Sequence, residues 1–186
     1  MNLIFILVYV IWFGSEIAIN RLLRTKSDEN KNTDRHTLTL IWVSIPVAIF
    51  AAILIANLWY LPLAHLWMIS YMGLALILLG VLLRYTAIRS LGKQFTVKVQ
   101  VNDSYKLKTN GMYKIIRHPS YAASWLSFIG FGVSLNNWGS LLFVGVAIWV
   151  VFAIRIKVEE EALLRQFGDT YKTYMKNTCR LIPFIY

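Results

Sequence analysis

The chain has 186 residues, 58% of them apolar, and a mean hydropathy of +0.56, too short for several soluble domains and too apolar for an ordinary one. Its formal charge of +10 would raise the question of nucleic acid, but no basic-aromatic recognition module is visible. A single cysteine, Cys179, excludes an intramolecular disulfide and a multi-cysteine zinc site, and its place in a polar tail reads as an ordinary thiol.

The first apolar stretch, Leu3–Ile19, is just long enough to span a bilayer. No basic residue precedes it, Glu16 sits near its end and no small-residue cleavage pattern follows, so it reads as a retained helix rather than a signal peptide. A polar loop, Arg21–His36, comes next. Thr37–Tyr60 is a second span, which Pro46 can kink without abolishing it. After a turn at Leu61 and Pro62, Leu66–Ile88 is a third span. Its Gly73 and Gly80 are spaced to let another helix approach closely, and Arg84 is placed to extend toward the headgroups. Glu16, Asn57 and Tyr85 read as groups that satisfy hydrogen bonds between helices.

From Ser90 to Arg117 the chain turns polar, and the alternation of Phe95, Val97, Val99 and Val101 predicts an extended segment. Ser120–Ser134 and Trp138–Ile154 are a fourth and fifth apolar helix, joined so briefly through Asn136 and Asn137 that they must form an antiparallel hairpin. Leu163–Met175 predicts an amphipathic helix with Leu164, Phe167, Tyr171 and Tyr174 on one side, followed by a tail containing Pro183. The expected fold is therefore an all-α integral membrane protein: one domain, 1–186, with five transmembrane helices and a C-terminal amphipathic helix.

Lysine and arginine fall only in Arg21–Arg35, Arg84–Arg117 and Arg155–Arg180, while the connections near Leu61 and Asn136 carry none. By the positive-inside rule those basic segments face the cytoplasm, which puts the N-terminus outside and the C-terminus inside. Contact with anionic lipid accounts for the basic excess without nucleic acid.

Two polar stretches bracket the last hairpin. In Arg117-His118-Pro119-Ser120, proline restricts the residue before it and suits a helix's first turn, so the segment starts a helix. The unpaired N–H groups there, with Ser120 and an imidazole beside them, also suit a ligand's carboxylate or hydroxyls. Arg155 and Glu159 are four residues apart and can pair on one helical face. The run Glu159, Glu160, Glu161 reads either as a solvated charge cluster or as carboxylates that bind a cation or hydroxyls. Tyr105 to Lys108 and Tyr113 read as interfacial anchors or as further ligand contacts. Ionisable groups at membrane depth generally face a cavity or a partner, so this cluster marks a candidate site. No metal-ligand motif, P-loop, dinucleotide fingerprint or nucleophile elbow is present.

At these residues the chain resembles the isoprenylcysteine carboxyl methyltransferase family, in particular its compact prokaryotic members, over Leu91–Phe184. The resemblance implies a five-helix membrane core with S-adenosylmethionine enclosed near the cytoplasmic face, in a cofactor-binding region at about 91–186, and S-adenosylhomocysteine as product. It places Tyr105, Lys106, Leu107, Lys108, Tyr113, His118, Pro119, Ser120, Tyr121 and Glu159 around the cofactor, and makes Arg155 the residue that positions a substrate carboxylate. Glu160 stands as the alternative to Glu159, because eukaryotic members carry an extra residue before the pair matching Phe167 and Gly168. A family glutamine falls on Lys98 without gaps and on Gln100 with one, and is left unassigned. The implied reaction is methyl transfer to a lipophilic acceptor in the bilayer, an isoprenylcysteine-like carboxylate. An amine acceptor, as in phospholipid N-methyltransferases, would additionally need a base such as Glu160 or His118. A sterol-type NADPH reductase and a non-enzymatic lipid-binding protein are more distant alternatives.

Overall fold

The computed structural model describes residues 2–22, 32–92 and 107–182. The middle of the first polar loop, the alternating segment Phe95–Val101 with Lys98 and Gln100, the expected contacts Tyr105 and Lys106, and Pro183 lie outside the described residues. Five helices follow in order: α1 (Leu3–Leu22), α2 (Asn32–Leu58), α3 (Met68–Leu91), α4 (Pro119–Ser134) and α5 (Trp138–Lys176), with a 3-10 turn at Gly111–Lys114 before α4. Thr39–Leu58, α3 and α5 are long and apolar enough to cross a membrane, whereas Leu3–Ile19 and the 16-residue α4 are shorter.

Large apolar side chains face outward as well as inward. Trp12, Ile77, Phe128 and Ile148 fill the core, while Val43, Val47, Phe50 and Val146 are exposed. A helix apolar all round is at home in lipid, where its outer face needs no polar cover.

Helix α3 packs most extensively on α4, through the small residues expected to allow it. A Cβ on Gly73 would lie 2.6 Å from the Gly130 carbonyl oxygen, and one on Gly80 the same distance from the Ala123 carbonyl oxygen. Both glycines are thus needed for backbone contact, and Gly130, Ser127 and Ala123 supply the matching face on α4. Trp12 of α1 sets its ring edge-on to Phe128 of α4, centroids 5.0 Å apart, and the Tyr9 hydroxyl meets Ser134 Oγ at 2.7 Å. Arg84 does not simply extend outward: its Nη1 bonds Glu16 of α1 and donates to Ser124 Oγ of α4 at 2.6 Å. The pair holds two charges that neither helix could bury alone. Asn57 turns back on its own helix, donating to the Ile53 carbonyl at 2.8 Å, and Tyr85 is exposed.

The α4–α5 hairpin forms as the sequence requires. Asn136 takes the left-handed conformation (φ 50°) that asparagine tolerates, and Asn137 caps α5 by accepting from the Ser140 amide at 3.0 Å. Both amides also reach the α2–α3 connection, Asn136 Nδ2 donating to the Ala64 carbonyl at 2.9 Å and Asn137 Nδ2 to the Trp59 carbonyl at 2.6 Å.

The end of the chain departs from expectation. No separate amphipathic helix starts at Leu163. Helix α5 runs on from its apolar part, which ends at Ile154, through the charged residues to a break at Gly168 (φ 52°, ψ −124°). The reason is local: Arg155 to Phe167 contains good helix formers and neither glycine nor proline, so nothing ends the helix earlier. At Gly168 the backbone adopts a conformation that a side chain would oppose, and the last helical segment, through Tyr171 and Tyr174, leaves in a new direction. Bonds from Arg84 of α3 to Glu16 of α1 and Ser124 of α4, from Tyr113 to Ala87 of α3, and from Arg155 of α5 to Thr37 of α2 tie the helices together toward one end of the bundle.

Candidate functional site

At that end, Ile116 forms an isolated parallel bridge with Cys179, so the stretch before Pro119 and the chain after α5 lie side by side. The Arg117 amide donates to the Cys179 carbonyl at 2.8 Å, the His118 amide to the Arg180 carbonyl at 3.1 Å, and the Cys179 amide to the Ile115 carbonyl at 3.0 Å. The tail around Cys179 is thus pinned rather than a loose polar end, and Leu181 buries itself in the core just beyond it. His118 is the N-cap of α4, with Pro119 in the first turn and no side chain capping the helix start.

Successive residues of an α-helix point about 100° apart, so three adjacent carboxylates cannot share one fate. Glu161 points to solvent and makes a long pair with Arg165, at 3.9 Å. Glu160 turns inward and is buried: Oε1 accepts from Arg117 Nε at 2.8 Å and lies 3.4 Å from His118 Nε2, while Oε2 accepts from Arg180 Nε at 2.9 Å. Burial pushes the Glu160 carboxyl up, but the hydrogen bonds and charges of His118 and Arg117 outweigh it and hold it down at about 2. Glu159 lies between these extremes. Its side chain is 30% exposed, and its Oε1 sits 4.0 Å from His118 Nδ1.

Arg155, 2% exposed, is buried one turn before Glu159. Its Nη1 donates to Thr37 Oγ1 of α2 at 2.7 Å. The Tyr121 hydroxyl of α4 is in hydrogen-bonding reach of both Arg155 and Glu159, so these residues converge across the α4–α5 interface. Tyr121 also faces the His118 ring, with centroids 5.9 Å apart. Tyr113 is buried on the other side; burial and the Glu159 charge push its hydroxyl up, and its carbonyl accepts from the Tyr174 hydroxyl at 2.5 Å. Tyr171, beyond the Gly168 break, is buried with its hydroxyl unpartnered among the described residues, in the field of Glu160, Arg117 and Glu159.

The structure therefore brings Tyr113, His118, Pro119, Tyr121, Arg155, Glu159 and Glu160 into one cluster, with half-buried Ser120 in the first turn of α4. Leu107 and Lys108 are half-buried, and among the described residues no hydrogen bond or ion pair joins Lys108 to the cluster. Sequence reasoning missed three contributors. Arg117 read only as part of a helix start, yet its Nε binds Glu160 and its Nη1 binds the Thr178 carbonyl and donates to the Met175 carbonyl at 3.1 Å. Arg180 reaches Glu160 from twenty residues away at no helical spacing, and Thr37 reaches Arg155 from the far end of the sequence. Neither contact leaves a periodic signal.

In chemical terms the cluster offers a part-exposed carboxylate beside an imidazole, an uncapped helix start, and a buried guanidinium a turn away. Carboxylates accept from hydroxyls, a helix N-terminus attracts anions, and a guanidinium forks onto a carboxylate.

Residues 71–165 match the model of the isoprenylcysteine carboxyl methyltransferase (ICMT) family. The chain is 39% identical over 134 residues to protein-S-isoprenylcysteine O-methyltransferase B of Arabidopsis thaliana, covering 70% of this chain and 68% of that protein. It is 36% identical to the protein-S-isoprenylcysteine O-methyltransferase of Xenopus laevis over 68% of this chain but 44% of that protein, so it spans less than half of the longer relative. The solved structure of a eukaryotic intramembrane Ras methyltransferase, an isoprenylcysteine carboxyl methyltransferase, superposes with a TM-score of 0.64 at 27% identity, covering 95% of this chain and 63% of that one. The family match takes in the α3–α4 seam, the His118 segment and the Arg155 to Glu161 turn alike, and the chain belongs to the isoprenylcysteine carboxyl methyltransferase family.

Proposed function

We propose that this protein transfers a methyl group from S-adenosylmethionine to the carboxylate of an isoprenylcysteine-like acceptor at the cytoplasmic face of a membrane. The observation that carries the reading is the convergence of His118, Glu159, Tyr121 and Arg155 at one end of a helix bundle whose outer surface is apolar. Five helices cross the bilayer in this reading, and the confinement of lysine and arginine in the sequence to three segments, with none in the connections near Leu61 and Asn136, supports a cytoplasmic site.

The residues present suit the donor. The part-exposed Glu159 carboxylate would accept from ribose hydroxyls, the uncapped start of α4 at Ser120 and Tyr121 would face an anionic carboxylate, and the Tyr171 hydroxyl, without a partner among the described residues, lies in the field of Glu159. Leu107, Lys108, Tyr113, His118 and Pro119 would complete its surroundings, joined by Tyr105 and Lys106. When bound, S-adenosylmethionine supplies an electrophilic methyl group on a sulfonium.

The protein's own task is positioning, because methyl transfer needs the accepting oxygen in line and at near-contact distance. Arg155 holds the acceptor carboxylate, and Thr37, bonded to its Nη1, helps to steady the guanidinium that does so. A carboxylate is already ionised at neutral pH and asks for no base. An amine acceptor would need one, and Glu160, held at about 2 between two arginines, is poorly suited to take a proton near neutrality.

The test is methyl transfer by purified protein in detergent, with labelled S-adenosylmethionine and either S-farnesylcysteine analogues or phosphatidylethanolamine as acceptor. Base-labile methyl ester on the prenylcysteine supports the proposal. Label on the lipid amine alone, or on neither, overturns it.

A further inference from the structure

Glu160 is buried, yet each of its oxygens is already taken by an arginine. A carboxylate in that state has little left to offer a ligand, and both arginines belong to the pair of bridged segments at the site's edge. Arg117 lies in the segment that leads to His118, and Arg180 in the segment that follows α5. The two segments are tied twice, by the backbone bonds of Arg117, His118 and Cys179 and by the shared carboxylate. The same Glu160 oxygen that takes Arg117 lies 3.4 Å from His118 Nε2 and so orients the ring, turning Nδ1 toward Glu159.

Resting on the proposed methyltransferase reading, we infer that Glu160 is the centre of a clasp rather than a cofactor ligand. In this clasp Arg180 is a positioning residue, which closes the C-terminal segment against His118 and sets the imidazole that faces the cofactor. Glu159 is then the carboxylate left for the cofactor. Arg180 acts from outside the cluster: its side chain is about a third exposed, 32% against 5% for Glu160, so replacing it removes the clasp without emptying the core. Leu181, packed in the core beyond it, keeps the segment attached when the ion pair is lost.

The experiment compares wild type, Arg180→Ala, Arg180→Lys and Glu160→Gln in detergent by two measurements: S-adenosylhomocysteine affinity by calorimetry, and amide hydrogen exchange at Arg117 and His118. A hydrogen-bonded charge pair is worth about a tenfold change in an equilibrium constant, so Arg180→Ala and Glu160→Gln should each weaken cofactor affinity about tenfold. Both should also speed exchange at the two amides while the KM for prenylcysteine stays unchanged. Arg180→Lys, which keeps the charge but not the planar fork, should recover part of each effect. The inference is overturned if Arg180→Ala leaves affinity and exchange at their wild-type values, or if exchange rises while affinity holds, since the segment would then be closed without positioning anything. Absence of binding in the wild type would instead strike the methyltransferase reading, which keeps the two failures apart.

Discussion

The two ends of the α4–α5 hairpin are both polar, and they differ in what their polar groups have left over. At the turn, Asn137 accepts from Ser140 and donates to Trp59, Asn136 donates to Ala64, and the Ser140 hydroxyl donates to the Ala52 carbonyl at 2.6 Å. Those groups are spent on backbone, as buried polar groups in a stable structure usually are. At the opposite end Glu160 is spent on the side chains of Arg117, His118 and Arg180, but Glu159 is part-exposed, α4 begins uncapped, and the Tyr171 hydroxyl has no partner among the described residues. Burial of a polar residue therefore says little about function in this protein. Unspent hydrogen-bonding capacity, gathered in one place, says more.

Substitutions at the two ends should break differently. The largest effect is expected at Arg155: Arg155→Lys keeps the charge but loses the fork, and misplacing the acceptor by about 1 Å costs on the order of a hundredfold in turnover. S-adenosylhomocysteine affinity should hold in that variant, which calorimetry beside a methyl-transfer assay would show. Next comes the seam that sets the helices: Gly80→Val drives a side chain into the Ala123 backbone and should destabilise the protein by about 1–3 kcal/mol, read as a lower unfolding temperature.

The seam is also where the sequence was most legible. Gly73 and Gly80, the Asn136-Asn137 turn and the proline after His118 are local signals with local causes, and each gave the element expected. Tyr121, His118, Glu159 and Arg155 stood on the page as a family pattern, and geometry brings them together. What could not be read were contacts between distant residues: which glutamate faces inward depends on the rotation of α5 against α4, and Arg180 finds Glu160 only because Gly168 redirects the chain. The continuous run of α5 through Leu163 was legible in its helix formers, but the amphipathic stripe beyond it suggested a new helix.

A smaller effect tests the spent end. Asn137→Ala removes the cap of α5 and a tie to Trp59, and should cost about 1 kcal/mol of stability while cofactor affinity stays at the wild-type value. A pH effect from Glu160 tests the site end in turn. Its carboxyl is lower in the folded protein, about 2 against an ordinary 4.5, so it adds stability above pH 4.5 that is lost as pH falls toward 2. Acid unfolding followed by circular dichroism should show that slope in wild type, and Glu160→Gln should flatten it.

The most direct measurement is calorimetric titration of S-adenosylhomocysteine into the detergent-purified wild type and Glu159→Ala. Binding at a single site in the wild type, weakened at least about tenfold by the substitution, is what a cofactor-facing Glu159 predicts. Equal affinity in both proteins would contradict it and leave the part-exposed carboxylate beside His118 without the role assigned to it.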